Sequence, residues 1–543
     1  MKITQRLRHH GAAAIGALLV VGLLASCAAS AEPAQNPSAD AEAPTSGGTI
    51  YIARKDQPLG YDAAFVNQVW RDVSRSLTDS LVFLNPDTGE FEPWLAKSWE
   101  VDDDRIFTFH LRDDVTFNDG TKLTGNVVKT NFERLIELKS TSGYVDGFSS
   151  ITVPDENTVV IDFPQPNAAF LTGLSRAHVG IVSEASALST VEERQQYIDG
   201  SGPFVLDTKR SVPDEQIVLI RRDDYNWAPE WFDHQGPAYA DEVIYKIITE
   251  ESVRVGALQS GEVDLITQTN SRFLPELQGV DGIVIPETAY GQGTGWPELP
   301  LNTSKGALTD VRVRQALQVG IDRAVLSQVG TNGTEPAAKG PLTQANPYFS
   351  DVSSQLAYDP KKSASLLDAA GWKTIGDDGI RVNSTGERLS LRYAGVESDV
   401  VLIIQDQLKQ IGIDFVIDPP LAAEANAALL TGDYDIGYWT QSLADPDVLR
   451  ANYSASTGSN RSFLDLSRPE DAKLDTLLQE QKATLDRDKR QKIVDQIADL
   501  LVGQAFTLPT LQNVDVWAHT ERLHDVKFNG VDQLLYDAWV SEK

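Results

Sequence analysis

The chain has 543 residues, long enough for two or three hydrophobic cores rather than one. Its 78 Asp and Glu outnumber 47 Lys and Arg, for a net charge of −31, a balance that opposes nucleic-acid binding. The single cysteine, Cys27, excludes an internal disulfide and any Cys-x-x-Cys zinc or redox pair, and the single methionine is Met1.

Residues 1–26 open with Lys2, Arg6 and Arg8, continue through an apolar, small-residue run, and end at Leu24-Ala25-Ser26 before Cys27. A charged start, a short apolar core and small residues at the cut predict a secretory signal peptide, too short to span a bilayer as a stable helix. The cysteine placed directly after those small residues resembles a bacterial lipobox. It predicts cleavage before Cys27 and a diacylglycerol on its sulfur. Each buried methylene contributes about 0.8 kcal/mol, so two or three acyl chains hold a domain at a membrane surface. Residues 27–48 are mostly Ala, Pro, Ser, Glu, Asp and Gly without apolar periodicity, the composition of a flexible tether.

Beyond the tether, strand and helix patterns alternate. Residues 49–52 read as a short strand. In 106–112, Phe107, Phe109 and Leu111 share one face and Thr108, His110 and Arg112 the other. Asp310 is a good N-cap for a helix that turns Val313, Ala316, Leu317 and Ile321 inward. Asp359-Pro360 opens another helix as N-cap and first residue, and Gly371 closes it. Val400, Val401, Ile404, Leu408 and Ile411 keep a helical period up to Gly412, and a strand follows over 413–417. An internal echo is present: 257–265 (ALQSGEVDL) resembles 428–436 (ALLTGDYDI), each a helix end, a Gly stop, an acid, then an Asp leading into apolar residues. The expected class is mixed α/β.

The run LAKSWEVDDDRIFTFHLRDDVTFNDGTKLTGNVV over 95–128 resembles the signature region of the family 5 extracellular solute-binding proteins, the peptide- and nickel-type receptors of ATP-binding cassette importers. Collinear with it are Gly200-Ser201-Gly202-Pro203-Phe204, residues 241–265, Leu301-Asn302-Thr303, residues 310–317 and the 357–372 helix. The resemblance implies an α/β, two-lobed, periplasmic-binding-protein-like fold with an extra third domain, closing on its ligand like a clam shell. Lobe I would be discontinuous, 49–83, 200–289 and 514–543; the extra domain would be 84–199, and lobe II 290–513. The lobes would be joined by crossings near 290–296 and 508–513, with Gly291, Gly293 and Gly295 as hinge residues.

Motifs for chemistry are missing from the sequence: there is no H-E-x-x-H, no P-loop and no G-x-S-x-G elbow. Gly291-Gln292-Gly293-Thr294-Gly295 has a Trp where a dinucleotide loop needs its third glycine. His110, His178, His234, His519 and His524 lack metal-site spacing, and Asp102-Asp103-Asp104 reads as a solvated turn rather than a calcium loop. No catalytic residue, metal or cofactor is therefore expected, and the protein is read as no enzyme.

The resemblance places the segment 433–449 on the cleft, with Trp439 as a stacking surface and Gln441, Ser442 and Asp445 as polar contacts. The opposite wall would hold Trp70 and Arg71, the latter a donor for a carboxylate or carbonyl. In the peptide receptors of the family, an Asp four residues before a loop proline pairs with the peptide ammonium. Counting back from Pro446 gives Ser442, a neutral hydroxyl, with Asp445 as a possible substitute. No His lies in the segment to favour a nickel complex.

The leading expectation is a monomeric, lipid-anchored extracytoplasmic receptor, periplasmic or cell-surface, that captures a peptide or similar small organic solute and delivers it to the permease subunits of an importer. A non-peptide solute (oligosaccharide, modified peptide or metal chelate) is the close alternative. A surface-anchored hydrolase and a structural envelope protein are the other classes. The first would need a nucleophile–base pair or converging carboxylates, the second repeats or stalks.

Overall fold

The computed structural model describes residues 43–542, apart from 63, 65–69, 139–146, 268, 270, 287–288, 292, 296, 418–427, 430, 442, 458–459 and 531. The expectations for the signal peptide, Cys27 and Ser442 therefore fall outside the described residues. Chain contacts divide the protein after Pro44, and Thr45–Lys543 forms one compact unit. Chain pairing begins slightly before the strand read at 49–52, because Gly47 N–H already donates to Tyr239 O at 2.8 Å.

Three sheets organise that unit. The largest has seven strands, in the order Ile283–Val284, Ala518–Thr520, Leu265–Ile266, Thr49–Arg54, Glu242–Ile247, Gln216–Arg221, Phe204–Leu206. Its centre is parallel, Thr49–Arg54 lying between Glu242–Ile247 and Leu265–Ile266, and its flanks are antiparallel. One sheet thus gathers strands from the start, the middle and the end of the chain. A second sheet is antiparallel, Ala96–Asp102, Ile106–Leu111, Thr158–Asp162 and Ser150–Asp155. In Ile106–Leu111 the residues Phe107, Phe109 and Leu111 are fully buried, as the alternation predicts. Asp103 and Asp104 take left-handed backbone angles in the turn that precedes this strand. A third sheet places Ser390–Ala394 parallel to both Asp414–Ile417 and Ile436–Gly437.

The helices follow their sequence signals. Asp310 caps Val311–Gly320 by accepting from the Arg312 amide, and Asp359 caps Pro360–Ala369 through the Lys362 amide. Asp399–Gln410 buries Val400, Val401, Ile404 and Leu408 against the third sheet. Among the described residues, both copies of the internal echo adopt the same local structure. Gly261 and Gly432 stop their helices at φ +71° and +73°. The following Asp264 and Asp435 then receive the amides of Tyr51 (2.9 Å) and Arg392 (2.8 Å), each on the strand to which the next residues pair in parallel.

One core, rich in aromatic residues, includes Trp70, Phe83, Phe107, Phe109, Phe132 and Tyr245 and spans the first two sheets. The third sheet has its own core, and the helices Asp447–Tyr453, Pro469–Lys482 and Arg487–Gly503 share another. Two antiparallel pairs flank the stretch 291–297: Ala289–Tyr290 with Val514–Asp515, and Glu298–Pro300 with Thr507–Pro509, the latter giving Leu299 and Leu508 to the third-sheet core. Gly291, Gly293 and Gly295 lie on the stretch between the two pairs. A Cβ on Gly295 would stand 2.4 Å from Leu511 O, so close strand approach demands glycine there.

The Gly200-Ser201-Gly202 motif has a packing cause. Gly202 N–H donates to Leu77 O at 3.0 Å, and a Cβ on Gly200 would fall 1.9 Å from that same oxygen. Gly200→Ala is expected to destabilise by roughly 1–3 kcal/mol or more through overpacking. A thermal midpoint equal to wild type would contradict that account of the motif.

Candidate functional site

Two walls approach each other where the aromatic core meets the third-sheet half. The first is the helix Arg71–Leu77 and the C-terminal segment around Asp532. Arg71 Nε donates to Asp532 Oδ1 at 2.6 Å, and Arg75 donates to Ser80 Oγ (2.9 Å) and Ser175 O (2.6 Å). Burial would raise the Asp532 pKa, but the guanidinium groups of Arg71, Arg75 and Arg176 hold it below the ordinary carboxylate range. Burial, with the same arginines, pushes the neighbouring His178 down to about 3, so it is neutral at any physiological pH. Trp70 is fully buried, its indole N–H on Asp56 Oδ1 at 3.2 Å and its ring 5.8 Å from that of Tyr245. It packs inside the first wall, whereas Arg71 beside it holds the charged pair.

The second wall is the segment after Ile436–Gly437. Trp439 and Glu298 exchange backbone hydrogen bonds at 2.9 Å in each direction. Gln441 N–H donates to Thr294 Oγ1 at 3.1 Å, and Asn452 Nδ2 donates to Gln441 Oε1 at 3.3 Å. The Arg461 guanidinium lies 3.4 Å from the Trp439 ring centre, a close cation–π contact over one indole face. Trp439, Gln441 and the Gly291–Gly295 stretch are therefore brought together, since Thr343 N–H reaches Gly293 O (2.8 Å) and Thr294 N–H reaches Gln441 O (3.0 Å).

Asp445 sits farther along, 2 % exposed, with both oxygens occupied. It receives Arg490 Nη1 at 2.8 Å and Nη2 at 2.5 Å, Thr172 Oγ1 at 3.2 Å and the Asp447 amide at 2.8 Å. Burial would lower the Arg490 pKa, but the Asp445 carboxylate raises it above that of a free guanidinium. Thr172 lies on the helix Phe170–Leu174, whose Phe170 and Leu174 pack in the same core as the first wall, so this bond crosses to that side of the seam, as does Ala168 N–H to Lys482 O at 2.7 Å. A cavity of about 170 Å³ follows this seam, lined by Asn167, Thr172, Tyr348, Asp445, Arg487 and Arg490. A smaller one, of about 20 Å³, lies between Ala444 and the group Ser175, Arg176, Asn529 and Asp532.

Sequence reasoning missed Thr172, Arg176, Arg490, Asp532 and Glu298. Only Glu298 carried a signal, as the one acid in the apolar run Trp296-Pro297-Glu298-Leu299-Pro300-Leu301. It is fully buried, and burial raises its pKa to about 7; hydrogen bonds from Tyr453 and Thr507, the nearby Thr294 hydroxyl and the charge of Arg461 oppose the rise. A carboxyl whose pKa is raised on folding binds more protons folded than unfolded between about 4.5 and 7. Its contribution to stability is therefore lost as pH rises through that window. Glu298→Gln should flatten the pH dependence there and raise the thermal midpoint at pH 8 relative to wild type. An unchanged difference between the two proteins from pH 4.5 to 8 would contradict the assignment.

Among the described residues no group of three or more His, Cys, Asp or Glu is arranged to hold a metal, and no helix is long and apolar enough to cross a membrane. A mixed seven-stranded sheet in one region, a parallel sheet in another, an additional antiparallel sheet and a seam between walls define a two-lobed solute-binding fold of the kind that carries an extra domain. Residues 90–461 match the model of the bacterial extracellular solute-binding proteins, family 5, and the chain belongs to that family. Over 523 residues it is 24 % identical to heme-binding protein A of Haemophilus influenzae, covering 91 % of this chain and 92 % of that one. Over 461 residues it is 27 % identical to the probable D,D-dipeptide-binding periplasmic protein DdpA of Escherichia coli K12, covering 82 % and 83 %. Among solved structures it is similar to NikA from Brucella suis in complex with Fe(III)-EDTA. That TM-score is 0.79 at 23 % identity, over 91 % of this chain and 100 % of that one.

Proposed function

We propose that this protein is a lipid-anchored extracytoplasmic receptor that captures a small organic solute between two lobes and delivers it, unchanged, to the permease of an ATP-binding cassette importer. The observation that carries the reading is the seam itself. Aromatic side chains from both sides (Phe91 and Phe107 facing Tyr348) and the charged groups Asp445, Arg487 and Arg490 of one side line it, and the stretch Gly291–Gly295 with the pair Ala289–Tyr290/Val514–Asp515 beside it is suited to act as the hinge. In this reading lobe I is 49–83, 200–289 and 514–543, the extra domain 84–199 and lobe II 290–513. In this proposal Trp439 and Gln441 contribute to one wall of the cleft and Arg71 to the other, while the buried Trp70 and Asp445 support those walls from behind. Ligand burial in the closed form shifts the lobe equilibrium. Small-angle scattering should show a smaller radius of gyration with solute than without; an unchanged radius on saturation would count against closure.

Cys27 is the anchor in this proposal. Cys27→Ala should move the protein from the membrane fraction to the soluble one with little change in its thermal midpoint, because the composition of 28–44 is that of a tether and the compact unit begins at Thr45. Retention in the membrane fraction would contradict it.

A specific observation favours a solute without a free peptide N-terminus. Ser442 has no charge to offer an ammonium, and the oxygens of Asp445 already accept four hydrogen bonds. A buried ammonium lacking a counter-charge costs several kcal/mol. Short peptides with free and acetylated N-termini should accordingly bind alike or not at all. Loss of binding on acetylation, matched by the same loss in Asp445→Asn, would restore the ordinary peptide.

A further inference from the structure

Glu298 and Trp439 face each other across an antiparallel bridge, so their side chains leave the same face of the ribbon. Glu298 Oε1 is taken by Tyr453 Oη at 2.5 Å and Thr507 Oγ1 at 3.2 Å. Its Oε2 and the Trp439 indole Nε1 are both buried and make no hydrogen bond. One orphan acceptor and one orphan donor thus belong to residues paired across the bridge, with side chains on the same face, and each costs about 1–3 kcal/mol while unpaired. Native interiors rarely leave such groups unpaired.

The surroundings select what can pair with them. Arg461 is stacked on the indole, which disfavours a cation at that spot. The Glu298 carboxyl disfavours an anion once it ionises, and its raised pKa makes both protonation states accessible near neutrality. A group that accepts from the indole N–H and donates to the carboxyl meets both demands and carries no charge. Thr294, whose hydroxyl already accepts the Gln441 amide, links this place to Gln441 on the cleft segment. The Trp439 ring, with Arg461 over one face and the Ala394, Leu429 and Tyr434 cluster against it, stays half-exposed and offers an apolar edge to the C–H groups of a sugar ring.

We propose that Glu298 and Trp439 form a specificity subsite for a hydroxyl group of the solute, which makes the ligand a polyhydroxylated compound, a sugar or polyol derivative. The assignment rests on the receptor reading above and narrows its solute class.

The test is isothermal calorimetry on the full mature chain with two panels. One holds hexoses, hexitols and short oligosaccharides, the other free and acetylated di- and tripeptides. Wild type, Glu298→Gln and Trp439→Phe are compared after circular dichroism shows each folded. Glu298→Gln turns the open acceptor into a donor, and Trp439→Phe keeps the ring but removes the N–H. At least one hydroxylated probe should bind wild type and lose tenfold or more in affinity in each variant. Equal affinity in all three proteins would overturn the subsite and assign the orphan pair to a structural water, leaving the receptor reading intact. Binding from the peptide panel alone would overturn the sugar-or-polyol assignment and leave the receptor role standing. Binding by neither panel would count against both.

Discussion

Asp62→Ala should cost about 3–5 kcal/mol. Asp62 is 0 % exposed, and its Oδ2 receives Arg134 Nη1 at 2.6 Å and Arg194 Nε at 2.8 Å. Arg134 lies on Gly125–Leu138 and Arg194 on Val191–Gln196, so one carboxylate ties two helices to the chain that leads into Trp70. Removing it leaves two guanidinium groups, each no more than 6 % exposed, facing one another without a counter-charge. The thermal midpoint should fall by many degrees, and Asp62→Asn should recover little, because a neutral amide cannot balance two cations. A midpoint within a degree of wild type for Asp62→Ala would show that water reaches the arginines and that the triad contributes nothing.

Arg490→Met is expected to be of the same order, about 3–5 kcal/mol, because it strands Asp445 in the seam. Its signature differs from that of Asp62→Ala in being rescuable. Asp445→Asn combined with Arg490→Met removes both charges, and replacing a buried pair by neutral groups is often close to neutral. The double variant should regain most of the lost stability. Because Thr172 reaches Asp445 from the opposite wall, the single variant should also weaken solute binding more than its effect on folding explains. A double variant no more stable than Arg490→Met would mean that the pair does not act as a unit.

Much of the architecture was legible because its signals are local. The alternation in Ile106–Leu111, the aspartates that cap Val311–Gly320 and Pro360–Ala369, and the glycines that end the two echo helices each act within a few residues. The echo was readable for the same reason: each copy needs a left-handed glycine and then an Asp able to grip a neighbouring strand. The site was far less legible. Asp445 could be noticed as an acid beside a proline, but its partner Arg490 lies 45 residues on and Thr172 lies 273 residues back. No periodicity connects them. Trp70 and Trp439 look alike as sequence, yet one is sealed in the core and the other lies half-buried beneath an arginine. Glu298 stood out only as an acid among apolar neighbours, and its significance depends on a bridge to a strand about 140 residues away. Capping and alternation are properties of a segment, whereas a cleft is a property of which segments meet.

The most direct measurement is native mass spectrometry of the protein isolated from its own membranes, followed by incubation with whatever solute is released. A single small organic molecule should be bound one to one. It should rebind to the emptied protein and be recovered with its mass unchanged after prolonged incubation. Recovery of a cleaved or otherwise altered molecule would contradict the receptor account and make this chain an enzyme.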